Sequence, residues 1–85
     1  MTLEELASKY IRKTDSAFAG LKIVHGSACP DEDRVREVVE EAKRYFEDAK
    51  YYLDRKKFEV SLASIAYCEG LLDALRMLRF VEFSW

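Results

Sequence analysis

Between Val35 and Leu53 the apolar residues Val35, Val38, Val39, Ala42, Tyr45, Phe46, Ala49, Tyr52 and Leu53 recur at steps of three and four without a miss. At 100° per residue they form one stripe of an α-helix, and no strand has that period. Glu37, Glu40, Glu41, Lys43, Arg44, Glu47 and Asp48 fall outside or beside the stripe, where Glu40 and Arg44 have the i,i+4 spacing of an ion pair. An amphipathic helix of this kind leaves water only by closing on other helices, and the rest of the chain supplies them. Leu3, Leu6, Ala7, Tyr10, Ile11, Thr14, Ala17, Phe18 and Leu21 repeat the pattern, opened by Thr2 and Glu5 in capping-box spacing. Gly20 and Gly26 fray that helix, and Lys22 to Pro30 reads as a linker. Asp31 is the expected N-cap of the central helix, with acids in its first turn facing the positive end of the dipole.

A third helix is predicted after the polar turn Asp54-Arg55-Lys56-Lys57, a connection short enough to force antiparallel packing. Its apolar residues spread around a wide arc. Phe58, Leu62 and Ile65 line one side, and Tyr67, Leu71, Leu75 and Leu78 line another. Between them the small residues Ala63, Ala66, Gly70 and Ala74 promise close approach of a neighbouring helix. Only Glu69, Asp73 and Arg76 make a polar face, so the helix needs cover on more than one side. The tail Phe80-Val81-Glu82-Phe83-Ser84-Trp85 is too apolar for a free end and is expected to fold over the bundle or lie on a partner. No window alternates with period two long enough for a sheet, although the tail suits a short extended piece. The expected architecture is an all-α, three-helix up-and-down antiparallel bundle filling residues 1–85 as one domain. Its helices span about 2–21, 31–54 and 58–79, before an apolar tail at 80–85.

Size and charge narrow the function. The chain has 85 residues, with 49% hydrophobic and 35% charged side chains and a net charge of −2. A near-neutral balance disfavours a general nucleic-acid binder. No run reaches the ~18 apolar residues that a membrane span requires. Acids at Glu4 and Glu5 occupy the place where a signal peptide carries positive charge, so a cytoplasmic location is expected. Cys29 and Cys68 lie in a linker and in an apolar helix, a context that suits reduced thiols better than a disulfide.

Few residues group as chemistry requires. His25 and Cys29, with Asp31 and Asp33 near, lack the second Cys or His pair that a structural zinc site needs, so no metal or other cofactor is expected. His25 has no oriented partner to make it a general base, and no Arg precedes it at the spacing of helical nucleases. Glu69 and Asp73 share a face without matching inward acids or Glu-x-x-His pairs elsewhere, and Arg76 makes them a solvated ion-pair face. No catalytic residue is predicted, and the chain reads as no enzyme. Tyr51 lies off the apolar stripe, where Arg55 can stack on it, and with Lys56 and Lys57 it forms a weak candidate nucleic-acid contact. The candidate partner interface is Val60, Tyr67, Leu71, Phe83 and Trp85, on the over-wide apolar arc of the third helix and in the tail.

The stretch from Ala42 to Leu53, the basic turn, and Ala66-Tyr67-Cys68-Glu69-Gly70-Leu71-Leu72-Asp73-Ala74 resemble an archaeal family, domain of unknown function 357. The likeness is good over residues 31–79 and looser over the first helix. Arg55-Lys56-Lys57 stands where that family has a glycine-containing turn. The resemblance implies an up-and-down three-helix bundle and an archaeal, intracellular source, and it brings no activity and no functional residues. A fainter likeness, to helical-hairpin repeats that bind peptides, rests on one Ala-rich hairpin, whereas such arrays need about three units. The reading is therefore a non-enzymatic protein–protein interaction module, with self-association as a homodimer through the third helix or the tail. The alternative is an RNA-associated accessory protein using the basic turn.

Overall fold

The computed structural model describes residues 1–26 and 31–85. Three helices carry the fold: α1 (Leu3–Gly20), α2 (Glu32–Asp54) and α3 (Phe58–Met77). They pack together as an all-α three-helix bundle with extents of 44 × 20 × 17 Å. Local chemistry sets their ends. Glu5 N–H donates to Thr2 Oγ1 at 3.1 Å, and Glu5 Oε1 accepts from the Thr2 N–H at 3.3 Å, completing the capping box. Asp31 accepts from the Arg34 N–H at 3.1 Å and opens α2 as its N-cap.

The other ends of α2 and α3 share one device. At α2, the Lys57 N–H donates to Tyr52 O and the Lys56 N–H to Leu53 O. At α3, the Phe80 N–H donates to Leu75 O and the Arg79 N–H to Arg76 O. This is the Schellman pattern, and its left-handed residue is Lys56 (φ 62°) in one case and Arg79 (φ 63°) in the other. Both residues carry a Cβ where glycine would sit without strain. Replacing Lys56 with glycine is expected to stabilise the chain by about 1 kcal/mol, read as a higher midpoint in thermal or urea unfolding.

The main core gathers Ile11 from α1, Ala42, Phe46 and Ala49 from α2, and Ile65, Cys68 and Leu72 from α3. Close approach of α2 and α3 is made by Ala42, Ala49, Ser61 and Cys68, all fully buried. Ser61 is accommodated there because its hydroxyl donates to Ala49 O at 2.7 Å. The sequence expectation for close approach is corrected on this point: Ala63, Ala66, Gly70 and Ala74 are exposed. A Cβ on Gly70 would meet no atom within 4 Å. Small residues read alike whether they face a helix or water, and here the buried ones lie on the opposite arc.

Two strands of two residues each also emerge. β1 (Lys22–Ile23) lies in the expected linker and pairs antiparallel with β2 (Val81–Glu82) of the tail, Lys22 opposite Glu82 and Ile23 opposite Val81. The Val24 N–H extends the ribbon by donating to Phe80 O at 3.0 Å. Of the two fates expected for the tail, it takes the first and folds back over the bundle. α3 accordingly ends at Met77, two residues before the expected boundary, because the Schellman turn must reverse the chain before β2. Val81 becomes 1% exposed and joins Val35, Val39 and Leu75 in a second core cluster beneath the ribbon.

Candidate interaction surface

On α1 and α2 the side away from the core is charged. Glu4, Glu5, Arg12 and Asp15 are exposed on α1. On α2, Lys43 pairs with Glu40, Arg44 with Glu41 and Lys50 with Glu47, each at i,i+3. The expected Glu40–Arg44 pair is replaced by these, since Arg44 reaches the nearer Glu41.

α3 is different. Its inner side buries Ser61, Ile65, Cys68, Leu72 and Leu75. Opposite them, Val60, Ala63, Tyr67, Gly70, Ala74 and Met77 follow at alternating steps of three and four, and all are exposed. Val60 is 43% exposed, Tyr67 52%, Met77 75% and the adjoining Leu78 61%. Glu69, Asp73 and Arg76 are turned toward α1 and the tail, which leaves Glu59 as the one charge on the outer side of α3. Tyr67 is held in place by Tyr45 of α2, with ring centroids 4.4 Å apart. The neighbouring helices cover only part of a helix that is apolar around most of its circumference, and the arc from Val60 to Met77 stays in water.

The expected interface residues therefore divide. Val60 and Tyr67 lie on this surface. Leu71 is half-buried beside it, packed on the main core. Phe83 and Trp85 are withdrawn from it, because the returning tail seats both against the chain's own core. Their rings meet edge to face with centroids 4.8 Å apart. The Trp85 indole N–H donates to Asp73 Oδ1 at 2.7 Å, and Lys13 Nζ sits 4.7 Å from the indole centroid. Arg76 donates to the same Asp73 oxygen at 3.1 Å. The Asp73–Arg76 face is thus the ion pair that the spacing suggested, with the tail tied to it.

The indole N–H and then Arg76 hold the Asp73 carboxyl below the usual aspartate range. A depressed carboxyl stabilises the fold above its unfolded-state value and loses that contribution as pH falls through its folded value. Acid unfolding below about pH 4 should therefore include Asp73, and Trp85→Phe should remove part of that dependence. Parallel acid titrations of the two proteins, followed by circular dichroism, check this.

Other sequence candidates are also placed. His25 Nδ1 lies 3.0 Å from Glu32 Oε2, and the Gly26 N–H donates to Glu32 Oε1 at 3.1 Å. These contacts, His25 foremost, lower the Glu32 carboxyl and tie the end of the ribbon to the start of α2. Cys29 lies outside the described residues, as does Pro30. Cys68 is fully buried, and desolvation pushes its thiol up to about 12, so thiolate is scarce at neutral pH. In the basic turn, Arg55 stacks 4.1 Å from the Tyr51 centroid, as its spacing suggested, and Lys56 and Lys57 are exposed. Sequence reasoning missed Ala63, Gly70, Ala74 and Met77 as surface. Their i,i+3,i+4 seam was legible, but not which way it faces.

A small three-helix bundle with one largely apolar, outward-facing helix side is the class these observations define. The chain belongs to the family described as Protein of unknown function (DUF357), whose model matches residues 9–81. No curated protein and no solved structure matches it.

Proposed function

We propose that this protein is a non-enzymatic protein–protein interaction module that docks a partner helix on the outer face of α3. One observation carries the reading: from Val60 to Met77 that face is apolar and exposed, while the outer faces of α1 and α2 are charged. Monomers rarely leave so long an apolar strip in water, and charge depletion is the compositional mark of an interface core. The non-enzymatic part is supported by the fate of the chemical groups. His25 is engaged by Glu32, and the Cys68 thiol is buried. Among the described residues no helix is long and apolar enough to cross a membrane.

The test compares capture from the source cells by the wild-type chain, by Ala74→Glu on the α3 face and by Glu37→Lys on α2, with mass-spectrometric identification. Proteins retained by the wild type and by Glu37→Lys but lost with Ala74→Glu are the expected result. Capture indifferent to Ala74→Glu overturns the reading.

A second reading, RNA association, draws on the exposure of Tyr51, Arg55, Lys56 and Lys57 at one turn. Three cations predict single-strand binding with a log–log salt slope of about −2. Fluorescence anisotropy showing no binding at low salt removes it.

A further inference from the structure

We infer that the occupant of the α3 face is a second copy of this chain, its α3 antiparallel to the first across a two-fold axis between positions 68 and 69. The inference rests on the interaction-module reading and names the partner.

The steps from Val60 to Met77 alternate three and four, the seam along which two helices pair. Reversing the helix about its middle matches the seam to itself by size: Val60 opposite Met77, Ala63 opposite Ala74, Tyr67 opposite Gly70. A two-fold contact needs only one self-complementary patch, and this is one.

Gly70 adds an independent observation. Glycine inside a helix costs about 1 kcal/mol relative to alanine. The chain's own packing gives no reason for it, since a Cβ there would meet nothing within 4 Å and its φ is not left-handed. Among the described residues nothing fills the space above Gly70, and the reversed copy brings the ring of its Tyr67 to that height. Tyr67 is already steadied by Tyr45, so little side-chain freedom is lost on contact.

Charge selects the antiparallel arrangement. A parallel pair would set the two Glu59 carboxylates and the two Lys56-Lys57 turns side by side, whereas reversal moves the Glu59 pair about 28 Å apart. The helix dipoles also oppose one another when antiparallel. The seam is about 26 Å long and a helix about 10 Å wide, so two copies together cover roughly 500 Å², well below the ~1,200 Å² of stable specific complexes. A weak, concentration-dependent dimer follows.

Sedimentation equilibrium from 10 µM to 1 mM, on the full chain, should show the mass rising toward twice that of one copy, and Tyr67→Glu should hold it at one copy while the chain stays helical and still melts in one cooperative transition, at a somewhat lower midpoint for want of the Tyr45 contact. Cysteine bridging in a Cys29→Ser background reads the orientation, the buried Cys68 thiol staying unreactive. Ala63→Cys alone should not bridge, since its two sulfurs would lie about 16 Å apart along the axis, while a mixture of Ala63→Cys and Ala74→Cys should bridge. Bridging by Ala63→Cys alone overturns the antiparallel pairing. A single-copy mass at 1 mM overturns self-association, and Ala74-dependent capture of a different protein would then leave the interaction-module reading standing.

Discussion

Removing residues 80–85 is expected to cost the chain roughly 4–5 kcal/mol, enough to bring it close to unfolding at room temperature. Val81 is 1% exposed and lies in a core cluster with Val35, Val39 and Leu75. Burying one such side chain contributes about 1.5–3 kcal/mol, and the half-buried rings of Phe83 and Trp85 add a comparable amount together. The deletion also strips β1 of its partner strand and leaves Leu21, Ile23 and Val24 without the cover that Phe80 and Phe83 give. An 85-residue domain has a total stability of roughly 4–13 kcal/mol, so this loss is a large part of it. Urea unfolding of the truncated chain should show a markedly lower midpoint. A loss under about 1 kcal/mol would mean that the tail contributes little to the core.

Leu72→Ala should cost about 3–5 kcal/mol, while Leu78→Ala should cost less than about 0.5 kcal/mol at concentrations where the protein is a monomer. The two leucines are chemically identical and six residues apart. Leu72 is 0% exposed among Ile11, Phe46 and Ile65, so its truncation leaves a cavity that the helices cannot close. Leu78 is 61% exposed and its truncation opens only onto water. Equal losses in equilibrium unfolding would show that α3 is rotated from the orientation described, and the assignment of its outer face would fall with it.

Much of this fold was legible because helices are local. Apolar steps of three and four placed α1 and α2, and Thr2, Glu5 and Asp31 marked their starts through contacts only three residues away. The i+4 spacing of Tyr51 and Arg55 foretold their stacking for the same reason. The ribbon was not legible: two residues are too few to show alternation, and Lys22 meets Glu82 from 60 residues away. Nor were the helix ends at Lys56 and Arg79, since neither residue type signals a left-handed conformation. The binding of His25 by Glu32 and of Trp85 by Asp73 likewise joins residues that no spacing rule connects.

The candidate surface divides along the same line. That α3 is apolar around most of its circumference, and so needs cover on more than one side, is a property of residues 58–78 alone. Which arc the bundle covers is not, because the arcs are matched in composition: Ser61 and Cys68 on one, Ala63 and Gly70 on the other. Only packing against α2, where Ala42 and Ala49 leave room and Ala49 O receives the Ser61 hydroxyl, turns the first arc inward and leaves Val60 through Met77 facing water.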